Sequence, residues 1–151
     1  LGLQYKKNQD FDFVPASLGA RDDSNVDVYL AATKVYLAGP FSRTWLLNAT
    51  LRATRANQFG ILGFGGDLDN GRSINVELSA AVFLTDEIVV GSEFRQKPDN
   101  LGSFGEDDFW DLFGTWFPSK HFSVTAAYTD LGRIAMMPGQ HGAYLSLQGS
   151  F

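Results

Sequence analysis

The chain has 151 residues, with 12 Lys and Arg against 17 Asp and Glu, a net charge of −5, and no cysteine. The length suits one domain. The acidic balance without any basic cluster excludes a nucleic-acid binder, and the missing thiols exclude disulfides and thiolate metal sites. Hydrophobic residues make up 44%, yet no run approaches the ~18 apolar residues of a membrane-spanning helix.

Taken in order, the chain reads as strands. Residues 1–7 (LGLQYKK) place Leu1, Leu3 and Tyr5 on one face, and the polar stretch 8–24 follows as a loop. Residues 25–38 form the next strand, and Gly39-Pro40-Phe41-Ser42 is a tight connection. Residues 43–55 alternate cleanly: Trp45, Leu47, Ala49, Leu51 and Ala53 oppose Thr44, Asn48, Thr50, Arg52 and Thr54. The Gly-rich, acidic stretch 56–72 is a long loop that folds inward or stays flexible. Residues 73–84 alternate again, Thr85-Asp86 turns the chain, and residues 87–96 set Ile88, Val90, Ser92 and Phe94 against Glu87, Gly91, Glu93 and Arg95. After a loop at 97–106, residues 107–117 carry Trp110, Leu112, Gly114 and Trp116 on one side, with Asp111 and Thr115 on the other. Pro118-Ser119-Lys120 turns into residues 121–130, and residues 131–141 form the last long loop. The closing stretch GAYLSLQGSF (142–151) alternates strictly, Ala143, Leu145, Leu147, Gly149 and Phe151 against Tyr144, Ser146, Gln148 and Ser150.

Such strands, of ~9–13 residues, have the length that a tilted membrane strand needs. The connections at 8–24, 56–72, 97–106 and 131–141 are long, and those at 39–42, 85–86 and 118–120 are short. Outer-membrane barrels keep short turns at the periplasmic end and long loops outside, which puts Phe151 at the periplasmic side, where a terminal Phe resembles their assembly signal. In that orientation Tyr36, Trp45, Trp116, Phe122 and Phe151 fall at the periplasmic ends, and Tyr29, Phe94, Trp110 and Tyr128 near the extracellular ends. Two aromatic belts around an aliphatic band are what the lipid interfaces select. The fold expected is all-β: an antiparallel up-and-down transmembrane β-barrel with about eight strands visible. Residues 1–7 alternate from the first position, so residues 1–151 are expected to be the C-terminal part of a larger barrel, a single domain lacking upstream strands.

The runs VELSAAVFLTDEIVVGSEFRQKPDNL (76–101), EDDFWDLFGTWFPSKHFSVTAAYTDLG (106–132) and GAYLSLQGSF resemble an uncharacterised family of proteobacterial outer-membrane, porin-like proteins, a domain of unknown function. The resemblance covers most of the chain. It implies a barrel fold, a bacterial outer-membrane location and a longer N-terminus, and it names no catalytic residue.

The inward faces are expected to carry Lys6, Lys34, Arg52, Glu77, Glu93, Arg95 and Asp111, lining a lumen; the strand holding Lys34 does not alternate cleanly. In a closed eight-stranded barrel these charges would form an ionic plug; in a wider one they would line water and set ion preference. His121 and His141 fall at opposite ends of the barrel, and Ser146 has no nucleophile motif around it, so no enzyme is expected. Asp67-Leu68-Asp69-Asn70-Gly71 has part of a calcium loop's composition, but its twelfth position is Leu78, so no metal site is expected. Gly60, Gly63, Gly65 and Gly66 lack a strand–helix context for a nucleotide, and no cofactor is expected.

The function expected is a porin-like channel for small solutes, its mouth constricted by the long loops, notably 56–72. The alternatives are a docking barrel, whose loops 97–106 and 131–141 hold a partner through Phe, Leu and Met, and a soluble lipocalin-like barrel with its apolar face inward. The partners expected are outer-membrane lipid and lipopolysaccharide, with Asp107-Asp108 at the height of the bridging divalent cations, and a homo-oligomer or surface protein. If Leu47, Val76, Leu112 and Leu147 crowd together in the interior, the membrane reading fails.

Overall fold

The computed structural model describes residues 1–103, 105–134 and 136–150. Eight strands follow one another: β1 (Gly2–Lys7), β2 (Ser24–Tyr36), β3 (Trp45–Thr54), β4 (Ser73–Phe83), β5 (Ile88–Arg95), β6 (Phe109–Ser119), β7 (Phe122–Ile134) and β8 (Met137–Gly149). They form one up-and-down sheet, each antiparallel to the next. Among the described residues β1 and β8 each pair on one side only, so the sheet has two free edges and is not closed.

Alternation divides the sheet into two faces. Register puts Leu47 and Ala49 of β3 beside Ala80 and Leu78 of β4, and these beside Ser92 and Phe94 of β5. Leu112 and Trp116 of β6 continue this face through Tyr128 and Val124 of β7 to Ala143 and Leu147 of β8. The face is apolar and exposed: Leu47 is 40%, Leu112 54% and Leu147 63% accessible, and Val76 is half-buried on the same side. The opposite face carries Asn25, Asp27, Thr50, Thr54, Asn75 and Asp111, all buried. Burial is therefore inverted relative to a water-soluble sheet, whose apolar side packs inward.

Ala81, Val89 and Ala127 are buried on the same face as Asp27 and Asp111, but the largest buried apolar side chains come from the loops. Phe64 and Leu101 are fully enclosed, and Leu101 packs with Ala20 and Leu62 against Phe11 and Leu18. Leu101, expected as an exposed docking residue, is thus interior.

The expected long loop at 131–141 is corrected: β7 runs on to Ile134 and β8 begins at Met137. The Asp130 carboxylate accepts the Gly132 N–H at 2.8 Å, and Gly132 takes φ +65°, so a bulge absorbs the irregularity and pairing resumes at Gly132–Gln140 and Ile134–Met137. Pro138 falls in the irregular stretch between these two pairs, where a missing N–H is tolerated. Likewise β6 continues through Pro118, expected as a turn, to Ser119.

Candidate functional site

The polar face is organised around Asp27 on β2. The alternation of Asn25, Asp27 and Tyr29 with Val26 and Val28 turns its carboxylate away from the apolar side. The carboxylate is fully buried and has partners from three strands. Its Oδ1 accepts Thr54 Oγ1 at 2.7 Å and Asn25 Nδ2 at 3.2 Å; its Oδ2 faces Lys6 Nζ at 2.8 Å and Arg52 Nη1 at 3.6 Å. A buried charge is tolerable only when paired and hydrogen-bonded to this degree. Arg52 continues the chain of contacts: Nε and Nη2 donate to Glu77 at 2.6 and 3.3 Å, and Nη1 donates to Gln4 at 3.0 Å. Because Arg52 holds Glu77 in this forked contact, Arg95, directly opposite Glu77 in register, is left with one 3.4 Å contact to Glu93. Asp111 lies on the same face and accepts the Glu93 backbone N–H at 3.0 Å.

Of the seven residues expected to line a lumen, Lys6, Arg52, Glu77, Glu93, Arg95 and Asp111 share this face. Lys34 does not. It lies opposite Leu47 on the apolar face, near the turn end of β2, with Nζ 5.6 Å from the Tyr36 ring. Its long apolar stem covers the sheet and carries the ammonium toward the strand end. Of the expected interface aromatics, Tyr36, Trp45, Phe94, Trp110, Trp116, Phe122 and Tyr128 are on the apolar face. Tyr29 is on the polar face opposite Arg52, whose guanidinium stacks 4.9 Å from its ring centroid. Phe151 lies outside the described residues. His121 and His141 sit by opposite ends of β7, near Ser150 and opposite Asp130.

Three loops close over one end of the polar face. The middle one, residues 55–72, is pinned from every side. Asn100 Nδ2 donates to Asn57 Oδ1 at 2.9 Å, and Asn57 Nδ2 donates to the Gly65 carbonyl at 2.8 Å. Phe64 exchanges backbone hydrogen bonds with Asp22. Asn8, just past β1, donates to the Ile61 carbonyl at 2.6 Å, while Gln58 Nε2 donates to the Arg133 carbonyl of β7, also at 2.6 Å. In a flat sheet β1 and β7 would stand ~29 Å apart. The turn from Gln58 to Ile61 and two side chains span only ~20 Å, so the sheet curls around its polar face and the loop bridges both flanks.

Gln58 and Phe59 both occupy left-handed backbone, with φ of 45° and 61°, which costs free energy for residues with a side chain. What holds them there is a polar cluster. The Gln58 N–H donates to both carboxylate oxygens of Glu106, at 3.0 and 3.2 Å, and Lys97 Nζ donates to Gln58 Oε1 at 3.3 Å and to the Leu131 carbonyl at 2.8 Å. Burial pushes the Glu106 carboxyl up to about 7, against the pull of the Gln58 N–H and Lys97. Burial also lowers Lys97 below the usual lysine range, against the surrounding acids.

Between cap and polar face lies a cavity of about 250 Å³, lined among others by Lys6, Arg52, Glu77, Arg95, Lys97 and Phe59. Asp27 was open to discovery from the alternation of β2, which put it beside Asn25. Lys97, Glu106 and Phe59 carried no such signal, because loop residues have no period to read. No curated protein and no solved structure matches this chain. A family model described as "Protein of unknown function (DUF3034)" matches residues 1–148, and the chain belongs to that family.

Proposed function

We propose that this chain forms wall and cap of a bacterial outer-membrane β-barrel, a porin-like passage for small polar solutes. The observation that carries the reading is the inverted sheet: a continuous apolar face is exposed, and the charges gather on the other side under the loop cap. A soluble monomer avoids contiguous apolar faces beyond a few hundred Å², and lipid is the solvent that fits one running across β3 to β8. A lipocalin-like ligand barrel needs the faces reversed. Lys34 beside Tyr36 near a strand end suits a headgroup interface. Because unpaired backbone groups are costly in hydrocarbon, the free edges of β1 and β8 are paired in the membrane, by each other or by further strands.

In this reading the polar face lines the passage and residues 57–64 narrow it. Planar-bilayer recording of the purified protein tests the idea. Discrete conductance steps are expected, larger when residues 58–62 are replaced by two glycines. Silence of both proteins at full reconstitution would refute the passage.

A second reading is favoured by one observation. Met136 and Met137 are exposed at the tip joining β7 to β8, beside Pro138. There a docking barrel would present an adaptable apolar contact to a surface partner or another copy. Met136→Ser with Met137→Ser should then abolish co-purification of that partner and leave conductance unchanged.

A further inference from the structure

We infer that the cavity beneath the cap binds a small organic monocarboxylate, its carboxylate held by Arg95 and its apolar part lying against Phe59. The site lies on the face assigned above to the passage, and so rests on that reading for its role.

The cations of the cavity wall differ in how closely they are matched. Lys6 and Arg52 are engaged with Asp27, Glu77 and Gln4. Lys97 donates to Gln58 Oε1 and the Leu131 carbonyl. Arg95 is the guanidinium of the cavity wall with the loosest partner: one 3.4 Å contact to Glu93 occupies Nη2, and the side chain is 44% exposed. A guanidinium presents five N–H groups in a planar fork, which matches a carboxylate with two parallel hydrogen bonds. Its Cζ lies 5.9 Å from the Phe109 ring centroid, within cation–π range.

Phe109 leads directly to the apolar half of the site. Its ring meets Phe59 edge to face, with centroids 6.1 Å apart and planes at 86°. Phe59 itself lines the cavity. The cavity wall thus carries a guanidinium and an aromatic ring, with Phe109 behind them in contact with both, and it selects for a molecule with an anionic end and an apolar end. Glu77 at the wall disfavours a dianion, since it is a fixed negative charge in a confined space.

Size narrows the class further. About 250 Å³ holds roughly eight waters at ~30 Å³ each. A ligand of some eight to ten non-hydrogen atoms replaces them, which is the size of benzoate and excludes an acyl chain of membrane length.

Calorimetric titration of the full chain in detergent with sodium benzoate tests the proposal, with acetate and benzyl alcohol in parallel. Benzoate should bind, and acetate, lacking the ring, and benzyl alcohol, lacking the charge, should each bind at least about tenfold more weakly. Arg95→Gln should weaken benzoate by at least about tenfold; the side chain is half-exposed, and the heat-modifiable band of the folded protein on gels checks that the variant folds. Phe59→Asn keeps a residue that accepts left-handed backbone and should also weaken benzoate while leaving acetate unchanged. Absence of benzoate binding up to roughly 10 mM, or equal affinity in Arg95→Gln, would overturn the site. Binding without conductance keeps the site and removes the passage; conductance without binding keeps the passage and removes the site.

Discussion

Glu106→Gln should tighten the loop cap at pH 8 and change little near pH 5. The wild-type carboxyl is pushed up to about 7 in the folded protein from an ordinary 4.5, with burial as the largest cause and Asp99 adding repulsion. Between those values the folded state holds more protons than the unfolded one, so stability falls as pH rises through the window and levels off above about 7. The loss, once both states are ionised, is about 3 kcal/mol. Glu106 is mostly buried, so screening by solvent takes little from that figure. The amide that Glu106→Gln introduces keeps an oxygen that accepts the Gln58 N–H and has no charge to bury. Lys97 contributes with the opposite sign, since its lowered value yields stability as pH rises, and its attraction to Glu106 is already contained in the Glu106 value. Hydrogen exchange at the amides of residues 57–64, corrected for intrinsic rates, reads the opening of the cap. Wild-type protection should fall by up to about a hundredfold between pH 5 and 8, and the variant should stay flat. A flat wild type, or a variant less protected at pH 8, would refute the assignment of Glu106 as the group that loosens the cap.

Other substitutions probe the remaining parts of the arrangement. Gly66→Ala would drive a methyl into the Asn100 carbonyl, so the loops around Asn57 and Asn100 should separate at a cost of ~2 kcal/mol, seen as new proteolysis between residues 97 and 103. Lys6→Met removes the 2.8 Å partner of the buried Asp27 carboxylate and should cost about 3 kcal/mol in urea unfolding; adding Asp27→Asn should recover most of it. Leu47→Arg, on the apolar face, should cost ~2–4 kcal/mol in lipid vesicles, whereas Ser79→Arg on the polar face beside Glu93 should stay within about 1 kcal/mol. Equal costs at both positions would argue against lipid on the apolar side.

Much of the sheet was legible in the sequence, because a strand's side-chain period is local. The runs around Leu47, Val76 and Leu112 alternate apart from Leu46 and Phe113, and each strand there lies where its alternation placed it. Where alternation weakens, local reading fails. In β2 the run from Tyr29 to Tyr36 mixes apolar and polar residues on both sides, so only the register against Arg52 and Leu47 puts Tyr29 on the polar face and Lys34 on the apolar one. At 131–141 glycine and proline have the composition of a loop, yet the long neighbouring ladder extends the pairing through a bulge at Gly132. The cap is the deepest omission. It is held by contacts such as Asn57 to Asn100, 43 residues apart, and Gln58 to Arg133, 75 apart. The amino-acid order by itself determined two-faced strands and their sequence of turns. Which loops fold inward, which guanidinium has the loosest partner, and which carboxyl is buried were decided only in three dimensions. Those properties depend on pairings between distant segments that leave no periodic trace along the chain.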